Sequence, residues 1–138
     1  MRAFCLSAVF LTFSALSPAL AAAETCLTGD FNAFIDRYSR EIALQEAATA
    51  DPVIFEQIDI GTGDEPDLIA REMPLSEISW PVMPSLKAAE GMGYVVEMET
   101  APGTGSVLMR GRDNGERMIW HFTESPCWTL VRIRDDGM

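Results

Sequence analysis

The sequence is short of histidine, cysteine and positive charge. One histidine and three cysteines in 138 residues leave little material for a metal centre or for a nucleophile activated by imidazole. Ten Lys and Arg stand against 21 Asp and Glu, so nucleic acid and anionic lipid, which need a positive surface, are excluded as partners. No serine has the flanking glycines of a nucleophile elbow; "SVLMRG" and "ESPCW" both lack them. The glycine turns "GTGDEP" and "PGTGS" carry no lysine of a phosphate loop. There is no C-x-x-C pair, no nucleotide fingerprint and no internal repeat. No cofactor, metal site or catalytic constellation is expected from such a chain.

What is present begins with an address. Arg2 gives a short positive region, Ala8 to Leu16 an apolar stretch, and "SPALAAAE" a small-residue cleavage site. Ala21-x-Ala23 fits the cleavage rule, with Ala19-x-Ala21 as competitor. Ser14, Ser17 and Pro18 interrupt the apolar stretch, which suits a cleaved leader better than a retained membrane anchor. The expectation is a signal peptide over 1–23, a single α+β domain over 24–138 and a periplasmic destination with no membrane contact after cleavage. Loss of Arg2 leaves nine basic and 21 acidic residues, a net charge of −12.

Cys5 leaves with the leader, so Cys26 and Cys127 remain. In an oxidising compartment the two should pair, closing a loop of about 100 residues.

Phe31, Phe34, Ile35, Tyr38 and Ile42 recur at helical spacing, with Asp30 or Thr28 as N-cap and an end before "DPV". "VIFEQIDIG" reads as a strand or extended return, and "LIAREMPL" as a weak strand chopped by prolines. A short helix starts at Pro84 and stops at Gly91 or Gly93. "YVVEMET", "SVLMRGR", "ERMIWHFTE" and "WTLVRIRD" form a meander, with Asn114 and Gly115 in a tight turn. In the third strand Met118, Trp120 and Phe122 share one face; Arg117, Ile119, His121 and Thr123 share the other. The fold class is α+β: an N-terminal helix packed across a curved antiparallel sheet of four or more strands.

His121 reads first as structural or solvent-facing; the catalytic alternative pairs it with Asp135. Asp64, Glu65 and Asp67, with Asp135 and Asp136, invite a Ca²⁺ reading, but "GDEPD" lacks the alternating ligands of an EF-hand loop. Trp80, Tyr94, Trp120 and Trp128 suit either a core or a recognition surface. The binding site favoured by residue type is Trp80, Tyr94, Trp120 and Arg132, with Gln45 from the helix.

"FNAFIDRYSREIALQEAATADPV" resembles the opening of small exported bacterial proteins with a cystatin-like or NTF2-like fold, including a DUF4348-type group. Phe31, Phe34, Tyr38, Gln45 and Pro52-Val53 carry that resemblance. Gly115, Trp120, Phe122, Trp128, Leu130, Ile133 and Asp135 carry it at the other end. The resemblance implies a cone of helices against a curved sheet, and such cones host enzymes, carriers and structural modules alike. Their catalytic variants use an Asp–His or Tyr–Asp dyad, which finds no match here. The expected function is a non-catalytic periplasmic binding or interaction domain for a protein or small molecule. An inhibitor or immunity-type protein docking on a basic enzyme, and a small hydrolase or isomerase using His121, are the alternatives.

Overall fold

Asp30 starts the first helix. Its carboxylate accepts hydrogen bonds from Asn32 N at 2.9 Å and Ala33 N at 3.3 Å, satisfying donors that have no partner within the helix. The computed structural model describes residues 26–61, 63 and 65–138; the expected leader over 1–23 and Asp64 lie outside the described residues. Helix α1 (Phe31–Tyr38) buries Phe31, Phe34, Ile35 and Tyr38, the predicted face.

The helix then breaks where the spacing predicts continuation. Glu41 is extended, α2 is a separate six-residue helix (Ile42–Ala47), and Ile42 is 48% exposed. The carbonyl of Tyr38, which an unbroken helix would bond to Ile42 N, accepts from Gln45 Nε2 at 2.9 Å instead.

Strand β1 (Thr49–Asp59) forms a hairpin with β2 (Asp67–Met73), and a 3₁₀ turn (Leu75–Glu77) leads to α3 (Leu86–Gly91). Pro52 lies where the β1–β6 register shifts, the kind of irregularity that tolerates a strand proline. The meander follows as β3 (Val95–Ala101), β4 (Thr104–Arg110), β5 (Arg117–Glu124) and β6 (Trp128–Asp135). The sheet has six strands in the order β2-β1-β6-β5-β4-β3. All pairings are antiparallel except β1 with β6, so the sheet is mixed rather than wholly antiparallel as expected. The β4–β5 turn also departs from the two-residue form. It spans 111–116, with Gly115 at φ 73° and Asn114 not in the left-handed region. Asn114 instead accepts from Glu116 N through its side chain at 3.2 Å.

One face of the sheet packs under the helices. Val53, Val107, Trp120, Phe122, Leu130 and Ile133 bury against Phe31, Phe34, Ile35, Tyr38 and Leu86. Its centre is aromatic: Phe31 lies 4.9 Å from Trp128, Phe34 5.6 Å from Phe122, and Tyr38 meets Phe122 edge-on at 5.2 Å. Burial pushes the Tyr38 hydroxyl well above its ordinary pKa, and it shares a 2.7 Å hydrogen bond with Thr49 Oγ1.

Gly105 lets Phe31 approach the sheet. A Cβ there would sit 2.5 Å from the Phe31 ring. Gly105→Ala is expected to destabilise the fold by about 1–3 kcal/mol through overpacking, measured by urea denaturation. The companion change Ser106→Ala, on the opposite face, should cost far less.

Cys26 and Cys127 form a disulfide across 101 residues, with Cα atoms 5.1 Å apart. Trp128 N donates to Leu27 O at 2.8 Å beside it, and Trp128 Nε1 to Gly29 O at 2.9 Å.

Candidate recognition groove on the open sheet face

Side chains alternate along a strand, so strict alternation in β6 would carry Arg132 on the face of Trp128 and Leu130, in the core. A bulge prevents this. His121 pairs with Arg132 but Phe122 pairs with Leu130, leaving Val131 as an extra residue. Arg132 and Arg134 therefore point away from the helices while Ile133 returns to the core.

The consequence is a row of polar side chains crossing four strands. Arg132 on β6 pairs with His121 on β5, His121 with Ser106 on β4, and Ser106 with Glu99 on β3. All four line one groove of about 500 Å³, together with Thr104 and Thr123. Arg132 is ion-paired at its end of the groove, and a second ion pair lies beyond it. Arg132 Nε lies 3.4 Å from Glu56 Oε1, and Arg134 Nε 2.6 Å from Asp136 Oδ1. Arg117 also binds Asp136, so this buried carboxylate joins two guanidiniums. Glu56 is buried, whereas the Arg132 side chain is 50% exposed to the groove.

Burial depresses the His121 pKa below its ordinary value, and the Arg132 and Arg134 cations lower it further against an opposing pull from Glu56. These effects favour the uncharged imidazole, in which one nitrogen donates and the other accepts.

The residues favoured by type alone do not converge on this groove. Gln45 is fully buried and its amide is completely used. Nε2 donates to Tyr38 O and Met83 O, each at 2.9 Å, while Oε1 accepts from Val82 N at 2.8 Å and Met83 N at 3.1 Å. Trp120 is buried in the core and donates to Val82 O at 3.1 Å. Trp80 is half-buried just ahead of this clamped segment. Tyr94, with its hydroxyl bonded to Glu116, borders a separate hollow with Met109 and Met118. Arg132 alone of the five lines the groove.

The His121–Asp135 pairing fails on geometry. Asp135 pairs with Met118 and shares a face with Ile133, whereas His121 shares a face with Arg132, so the sheet separates the two groups. Asp135 accepts from Gly137 N at 3.0 Å instead. Among the described residues, no group of three or more His, Cys, Asp or Glu could hold a metal ion, and no helix is long and apolar enough to cross a membrane. Ser106, Glu99 and Thr104 escaped residue-type reasoning, since only the register between strands aligns them with His121 and Thr123.

No protein-family model matches the chain, and no curated protein matches it. Its fold is similar to that of an NTF2-like protein from Bacteroides fragilis NCTC 9343, with a TM-score of 0.59 and 16% identity. The likeness covers 80% of this chain and 48% of that one, so the chain spans about half the length of that protein. The architecture is α+β and NTF2-like: short helices against a six-stranded mixed open sheet.

Proposed function

We propose that this chain is a non-catalytic binding domain of the periplasm, in the manner of the small exported DUF4348-type proteins, and that its ligand lies across the open sheet face. The observation that carries this reading is the row Arg132–His121–Ser106–Glu99, with a cation at one end, a carboxylate at the other and neutral hydrogen-bonding groups between. The disulfide supports an oxidising compartment.

The row selects a ligand class. Three strand spacings separate the Arg132 and Glu99 backbones, about 14 Å. A molecule bearing a carboxylate at one end and an ammonium about 10 Å away, as in an extended tripeptide, spans that gap with one ionic contact at each end. The ligand is therefore a short zwitterion.

Triglycine is the test molecule, with calorimetry as the readout. Binding is expected, weakened at least tenfold by C-terminal amidation or by Arg132→Gln, and at least tenfold by N-terminal acetylation or by Glu99→Gln. Binding in the four altered combinations as tight as that of the unmodified pair, or no binding by the unmodified pair, would overturn the reading.

A further inference from the structure

The outer edge of β3 is the second feature that calls for a partner. β3 is the last strand of the sheet, and among the described residues nothing pairs with its far side. It is seven residues long, without a proline or a bulge to blunt it, and its two charged side chains, Glu97 and Glu99, are both acidic and so deter strands other than basic ones.

Its polarity is specific. The two-residue turn Pro102–Gly103 makes Ala101 and Thr104 the closing pair, the hydrogen-bonded kind. Alternation from there turns the N–H and C=O groups of Val96, Met98 and Thr100 toward the open edge. Glu97 and Glu99 project on the groove face of the sheet, and Val96 and Met98 on the helix face. On the helix side, Val96 and Met98 border a hollow of about 330 Å³ with Ile35 from α1 and Leu86 from α3. It is rimmed by polar and charged side chains of the two helices and the turn after α1, Asp36, Arg40, Lys87 and Glu90 among them. Met98 is 45% exposed there.

We propose that the β3 edge accepts an extended peptide strand in which basic and apolar residues alternate. Its apolar side chains enter the hollow beside Met98, its basic side chains face Glu97 and Glu99, and its backbone completes the hydrogen bonds of Val96, Met98 and Thr100. The strong acidic excess of the chain favours the same kind of partner. This site shares Glu99 with the zwitterion groove but has backbone contacts of its own, so protection of the Val96, Met98 and Thr100 amides and the N-methylated peptide test the edge alone.

The probe is the capped peptide Lys-Val-Lys-Val-Lys-Val-Lys, titrated into the ¹⁵N-labelled disulfide-bonded chain. The amides of Val96, Met98 and Thr100 should shift most and become protected from exchange. A peptide of the same composition with its lysines in one block, and one N-methylated at the three valines, should each bind at least tenfold more weakly. Met98→Pro should abolish binding; should that variant not fold, Glu97→Lys with Glu99→Lys should weaken it at least tenfold. Equal binding of the three peptides would overturn the proposal, as would shifts centred on β2. Protection of the three amides before peptide is added, by a second copy or by the chain's own N-terminal segment, would overturn it too.

Discussion

Gln45→Met is expected to lower the stability of the fold by about 4 kcal/mol, with no compensating change elsewhere. Four hydrogen bonds end on this one amide, which is 0% exposed. Methionine fills the volume but leaves two carbonyls, the buried Met83 N–H and the part-buried Val82 N–H without that partner, and each buried orphan costs about 1–3 kcal/mol. Relaxation recovers part of the sum. Gln45→Glu separates the two halves of the effect. Its carboxylate still accepts from Val82 and Met83 N, yet sets an oxygen against the Tyr38 and Met83 carbonyls. Urea denaturation of both variants checks the expectation. A change under about 0.5 kcal/mol, the usual range for a surface contact, would return Gln45 to the list of ligand residues.

The second large effect belongs to the disulfide. Cys26→Ala and Cys127→Ala should each cost about 4 kcal/mol, by the loop-entropy account of a bridge closing about 100 residues. The double variant should be no less stable than either single one, because either change opens the same loop. Thermal melts under oxidising conditions provide the comparison. Additive losses would mean that the two sulfur atoms act independently, and two reactive thiols in the native protein would dismiss the bridge outright.

The meander was legible because β4 and β5 alternate buried and open positions, as β6 does up to its bulge, with Trp120 and Phe122 as unmistakable inward residues. The β1–β2 hairpin was harder. β2 is exposed along nearly all its length and so has no alternation to read, while β1 contains Pro52. The break after Tyr38 depends on a bond from Gln45, a side chain whose partner also includes a loop 38 residues away, and no local pattern carries that.

The site was the least legible part for a related reason. Gln45 and Trp120 have the chemistry of ligand contacts, but their polar atoms are used in the core to hold the Val82–Met83 segment. Arg132 was identified by type and then turned to the opposite face by a single extra residue in β6. Period-two reasoning fails at a bulge, because one inserted residue reverses every side chain beyond it.

His121 is the only histidine of the chain and sits in the middle of the proposed groove, so its ring proton reports on that surface alone. The most direct measurement is an NMR pH titration of that proton, with and without triglycine at fixed ionic strength. Without ligand the midpoint should lie below the ordinary histidine value, and Arg132→Gln, which removes a neighbouring cation, should move it upward. With triglycine bound, the carboxylate at Arg132 stabilises the imidazolium, so the wild-type midpoint should also rise, and binding should tighten as pH falls. A midpoint that triglycine leaves unmoved, at concentrations that saturate any binding seen by calorimetry, would contradict recognition on this face.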